Sequence, residues 1–180
     1  MSEQFFTDIK ELEAALGDGI YLVLSDNIRG VFSLGTKIRC KGSYGHMMWG
    51  VPGGFASQSW TFSLCKYADY EGCIMKFIHN PDWTEDQKRI LLSKIQEDLD
   101  KPWYKSIYDF RAIFGQLLGW DWLQSSKRMI CSERIAYLRY IDPEVDEWLK
   151  VEHTPTPTDV NAWTKAHQDR YKVFARYSPD

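Results

Sequence analysis

Apolar residues recur along this chain with two different spacings, and the alternation between them predicts the elements. Between Thr7 and Leu16, Ile9, Leu12, Ala15 and Leu16 share one helical face, with Thr7 as the expected N-cap and Gly17 as the stop. Gly19 to Ser25 (GIYLVLS) is an unbroken apolar run of strand length, as expected of a strand covered on both faces. Asn27 to Gly42 fits an edge strand or a short helix, and Gly35 weakens both. Strand-like runs from Gly45 to Val51 and from Phe55 to Tyr67 flank Pro52-Gly53-Gly54, a hairpin signal. A further strand is expected over Gly72 to His79, with Cys73, Met75 and Phe77 on one side.

The second half of the chain turns helical. Thr84 and Gln87 make a capping box for a helix to Leu99, striped by Ile90, Leu91, Ile95 and Leu99. After Pro102, Ser106 to Leu118 predicts another helix, ended by Gly119-Trp120-Asp121-Trp122. Ser125-Ser126-Lys127 leads into MICSERIAYL, a helix whose first turn carries Cys131 and whose apolar face is Ile135, Tyr137 and Leu138. Asp142-Pro143 opens a short helix, Asp as cap and Pro first. Thr154-Pro155-Thr156-Pro157 reads as extended. The tail from Asp159 to Tyr177 reads as a helix followed by a strand.

Composition narrows the class. At 180 residues, with 44% hydrophobic and 26% charged residues, one soluble globular domain over 1–180 is expected. A net charge of -3 leaves no basic footprint for nucleic acid. No run approaches the length of a membrane span, and MSEQFFTDIKELEAAL has no signal-like region, which together predict a cytoplasmic protein. The four cysteines (Cys40, Cys65, Cys73, Cys131) contain no CxxC pair, so a zinc site is not expected, and nothing else in the chain calls for a metal or cofactor. Cys65 and Cys73 lie in apolar strand-like surroundings and read as core. Aromatics are 15% of the chain, including eight Trp, so the rings fill the core or line a cleft.

Cys131 is where the chemistry concentrates. At a helix start, the positive end of the dipole and unpaired amides favour thiolate and can receive an oxyanion. The plainer alternative is a small buried apolar residue. A cysteine nucleophile needs a base. Of the four histidines, His153 and His167 read as solvated and His79 as a turn residue. His46 opens an apolar strand after the small residues of Gly42-Ser43-Tyr44-Gly45. A third group must orient the imidazole through its other nitrogen. Folding the hairpin about Gly53 brings Ser57, Gln58 and Ser59 near His46. Strand alternation turns Gln58 to the face opposite both serines, and Gln58 has the reach and an amide acceptor.

The order GSYGHMMW, hairpin, strand, α segment with YDFRAIFG, then MICSERIAYL resembles the circularly permuted NlpC/P60 group, which includes the YiiX-like proteins and is related to lecithin-retinol acyltransferase. The similarity runs loosely from Asp18 to Tyr177. His46 and Cys131 match the group's strand-start His and helix-opening Cys, Ser132-Glu133 match the residues after the nucleophile, and TPTPTDVNAWTKAHQDRYKVFARY resembles its Pro-Thr tail. Gly45 stands where the pattern often has Ser, and Arg134 replaces an apolar residue.

The resemblance implies an α+β, permuted papain-like core, an antiparallel sheet carrying His46 packed against the helix that begins at Cys131. It implies a cysteine hydrolase or acyltransferase that cleaves an amide or ester through an acyl-enzyme. Cys131, His46 and Gln58 form the expected catalytic set, and Tyr44, Ser132, Trp120 and Trp122 the expected oxyanion site and cleft. Trp103, Tyr104, Tyr108 and Phe110 either extend that aromatic wall or belong to the core. Glu133 is as well read as a surface acid as a catalytic one. The expected partner is a small-molecule, lipid or peptide substrate; a peptidoglycan peptide would require export by other means, as with phage proteins. The rival reading is a binding module that keeps the fold without catalysis.

Overall fold

The computed structural model describes residues 3–26, 44–58, 61–105, 131–151 and 155–179, and of 105, 131–133 and 151 the backbone alone. Among these residues, seven strands, β1 (Gln4–Phe6), β2 (Tyr21–Ser25), β3 (His46–Val51), β4 (Gly54–Gln58), β5 (Phe62–Cys65), β6 (Met75–His79) and β7 (Lys172–Tyr177), form one sheet in the order β1-β7-β6-β2-β3-β4-β5. The fold is α+β, but the sheet is mixed where an antiparallel one is expected. β1 pairs parallel to β7, and every other neighbouring pair is antiparallel. β1 is too short for its pattern to show in the sequence, and it exists by adding to the edge that β7 offers.

β2 lies at the centre of the sheet and is buried along its whole length, as its unbroken apolar run predicts. The β3–β4 hairpin turns at Pro52-Gly53, with Gly53 at φ 87, a conformation that glycine adopts without a Cβ clash. Beyond it, the expected long strand from Phe55 to Tyr67 is divided. β4 and β5 pair with each other, and a 3-10 turn follows at Tyr67–Tyr70.

Among the described residues, four α-helices pack on the sheet: α1 (Ile9–Leu16), α2 (Glu85–Leu99), α3 (Pro143–Val151) and α4 (Pro157–Ala166). Asp8, not Thr7, caps α1, its carboxylate accepting from the amides of Lys10 and Glu11 at 2.7 and 3.1 Å. The Thr84–Gln87 capping box of α2 forms as expected, although Ile90 points outward, 41% exposed. Thr156 caps α4 and Pro157 takes its first position, so this helix starts two residues ahead of Asp159. The segment at Cys131–Tyr140 is a 3-10 helix where an α-helix is expected. Its inward residues Ile135 and Leu138, and Arg134 and Tyr137, are spaced by three, the repeat at which 3-10 side chains eclipse.

The sheet separates two apolar layers. On one face, Tyr21, Val23, Met48, Phe55, Met75 and Phe77 pack against α1 and the turn at Tyr67–Tyr70. On the other, Leu22, Leu24, Met47, Trp49, Ala56 and Ile78 pack against α2, the 3-10 helix, α3 and α4. Along β2, β3 and β4, alternate residues therefore enter different cores. The expected elements over Asn27–Gly42 and Ser106–Leu118 lie outside the described residues.

Candidate functional site

His46 is the first residue of β3 and is buried. It shares a strand face with Met48, so its ring enters the core that α1 covers. There Nε2 lies 2.8 Å from Ser57 Oγ, and Ser57 Oγ lies 2.6 Å from the Tyr70 hydroxyl. The imidazole is nearly parallel to the Tyr70 ring, at an angle of 7° and a separation of 6.5 Å. Burial disfavours the imidazolium and lowers the pKa of His46 to about 4, so the ring is neutral at pH 7.

Of the polar residues that the hairpin could bring to His46, Ser57 is bonded to it, and Ser59 lies outside the described residues. Gln58 faces the other side, and the expected His46–Gln58 pairing is replaced by His46–Ser57. Gln58 Oε1 instead accepts from Arg134 Nη2 at 2.6 Å. Arg134 Nη1 also donates to Asp98 of α2 and to the Tyr137 hydroxyl, and Tyr137 donates to Asp98. The guanidinium lies 4.0 Å over the Phe62 ring, and its Nε has no acceptor among the described residues. Burial pushes the Asp98 carboxyl upward, but hydrogen bonds from Lys101 and Tyr137 and the Arg134 charge outweigh it, so the pKa falls. This buried pair fastens α2, the 3-10 helix and β4 together.

The 3-10 helix that starts at Cys131 crosses β3 on the face of Trp49, whose indole N–H donates to the Arg134 carbonyl at 3.1 Å. Its inward residues thus belong to the layer opposite the one that holds the His46 ring. The side chains of Cys131 and Ser132 lie outside the described residues, as do Trp120 and Trp122. Tyr44 is buried, and its hydroxyl hydrogen-bonds Arg176 of β7. Burial is the main cause of its raised pKa, followed by the opposing Arg176 charge and the reinforcing charge of Glu3. Trp103 and Tyr104 are exposed, at 68% and 57%, and pack edge to face with each other.

Two of the other histidines differ from their expected settings, and His153 lies outside the described residues. His79 ends β6 and stacks on Tyr21 at 5.9 Å rather than lying in a turn. His167 closes α4 half-buried, stacked on Trp163 at 4.3 Å. Cys73 is buried as expected, and Cys65 is half-buried with its thiol pKa raised, mainly by burial.

Three polar residues of these networks were not predicted. Asp98 continues the spacing of Leu91 and Ile95 on the inner stripe of α2, and a carboxylate there signals a buried cation partner. Arg134, an interruption of an apolar motif position, is that partner. Tyr70, in an aromatic-rich segment, carries no comparable mark. Among the described residues, no group of His, Cys, Asp and Glu is arranged to hold a metal ion. No helix among them is long and apolar enough to cross a membrane. Comparison of the chain with protein-family models, curated proteins and solved structures finds no match.

Proposed function

We propose that this chain is a cysteine-dependent hydrolase or acyltransferase with a permuted papain-like arrangement, Cys131 its nucleophile and His46 its base. One observation carries this reading: the helix that opens at Cys131 lies directly across β3, the strand that His46 begins, tied to it through Trp49 and the Arg134 carbonyl. The neutral imidazole has a lone pair to accept a proton, but burial at a pKa of about 4 makes it a weak base, and a thiolate beside it is needed to raise that value. In the tautomer whose Nε2–H donates to Ser57 Oγ, Nδ1 carries the lone pair.

In the reaction, Nδ1 takes the Cys131 thiol proton and the sulfur attacks an amide or ester carbonyl of a lipid or peptide substrate. Backbone amides at the helix start stabilise the oxyanion. Collapse of the tetrahedral intermediate passes the proton from His46 to the departing amine or alcohol and leaves a thioester. Water or an acceptor amine, deprotonated by His46, then attacks the thioester and restores the thiol.

A second reading, a binding module without catalysis, is favoured by the direction of the His46 ring. It lies in the layer opposite the inward residues of the Cys131 helix, buried and stacked beside Tyr70. Alkylation by iodoacetamide at pH 6, followed residue by residue with mass spectrometry, separates the two. The enzyme reading expects Cys131 to react at least tenfold faster than Cys40, Cys65 and Cys73, and expects His46→Ala to abolish that preference. A Cys131 no faster than the half-buried Cys65 would overturn it.

A further inference from the structure

The centre of β6 holds a charge where the pattern calls for an apolar residue. Lys76 stands between Met75 and Phe77 in an otherwise buried strand and is only 3% exposed. In the sheet it is paired with Leu24 of β2 on one side and Arg176 of β7 on the other. Alternation turns it away from α1 and under α4, where Nζ donates to Asn161 Oδ1 at 2.8 Å. That is its one hydrogen bond among the described residues, and an ammonium has three protons to donate. No carboxylate among them is within ion-pair distance.

Lys76 also lines a cavity of about 250 Å³ between β6, β7 and α4. Lys165 and Lys172 stand at its rim, Thr164 and Gln168 add polar groups, and Glu3 is its acid. Glu3 is already bonded to Arg176 outside the lining, whereas Lys165 and Lys172 have no ion pair among the described residues. The cavity therefore gathers three lysines against one carboxylate, and that one is shared with Arg176. Such an arrangement is costly for a buried charge unless something anionic joins it. Burial, then the charges of Arg176 and Lys165, lower the Lys76 pKa to about 8, against the pull of Glu3. The amine remains mostly protonated at neutral pH and gains a proton when an anion arrives.

We propose that this cavity binds a small oxyanion, a phosphate or the phosphate group of a small monoester, with Lys76 as the buried contact and Lys165 and Lys172 closing on it from the rim. A dianion suits the surplus of positive charge better than a single carboxylate does. The inference stands apart from the Cys131 chemistry, since it uses neither that helix nor the His46 layer.

Isothermal titration of the full chain at low salt tests it, with inorganic phosphate, glycerol phosphate and acetate as separate probes. Saturable phosphate binding is expected, with acetate at least tenfold weaker. Tighter glycerol phosphate than phosphate assigns the site to a monoester, and the reverse order assigns it to the free ion. Binding at pH 8 is expected to take up protons, so its heat should vary with the ionisation enthalpy of the buffer. Lys76→Met should weaken phosphate at least tenfold. The paired surface change Lys165→Gln with Lys172→Gln should weaken it severalfold, and it gives a result even if the core variant fails to fold. Absence of saturable phosphate binding by the native chain, or affinity unchanged in the surface pair, would overturn the proposal.

Discussion

At the scale of single residues, His46 shows how a group legible as a type can be illegible as a direction. Its place at the head of a strand follows from GSYGHMMW. The face its ring enters does not, because Met47, Met48 and Trp49 are all apolar and β3 is covered on both sides. Period-two reasoning assigns inside and outside only where one face is wet. It correctly put Gln58 and Ser57 on opposite sides, and it could not say which side held the histidine. The buried position has a thermodynamic consequence. The imidazole titrates near 6.5 in the unfolded chain and at about 4 when folded, so between these values only the unfolded state gains the proton. Stability present above pH 6.5 is therefore lost as pH falls toward 4, by as much as about 3 kcal/mol. Urea unfolding of the native chain and of His46→Gln, compared from pH 7.5 to 4, should show the native curve falling more steeply. Parallel curves would mean that the ring is solvated.

Among the elements, the 3-10 helix departs most from expectation. Over a stretch of ten residues, repeats of 3.0 and 3.6 predict nearly the same inward positions, so Ile135 and Leu138 fit either. What decides is outside the segment: Asp98 from α2, Gln58 from β4 and Trp49 from β3 all take hold of Arg134 or its carbonyl. Sequence patterns record periodicity within an element and not a grip from three others. Because Arg134 is 5% exposed, removing its partner leaves a charge with little access to water. Asp98→Ala should cost about 3–5 kcal/mol in equilibrium unfolding, while Asp98→Leu combined with Arg134→Met should recover most of that loss. Equal losses in the single and double variants would show that the apolar contacts of the helix, rather than the charge pair, determine its position.

Across the whole molecule, the sheet keeps two polar networks apart. His46, Ser57 and Tyr70 lie on the α1 side, and Gln58, Arg134, Tyr137 and Asp98 on the side of the Cys131 helix. Ser57 and Gln58 are adjacent in sequence yet belong to different networks, which makes them a discriminating pair of probes. If His46 serves Cys131, the group that orients the imidazole controls its basicity, and that group is Ser57. Ser57→Ala should then slow Cys131 alkylation at pH 6 several-fold and move its pH profile toward that of an ordinary thiol, with Gln58→Ala changing it less than twofold. The stability effects should follow the same partition. Ser57→Ala and Arg134→Met should add to within about 0.5 kcal/mol, whereas Ser57→Ala and Tyr70→Phe, which share a hydrogen bond, should not. A Cys131 profile that responds to Gln58 and ignores Ser57 would detach Cys131 from His46 and assign its reactivity to the Arg134 side of the sheet.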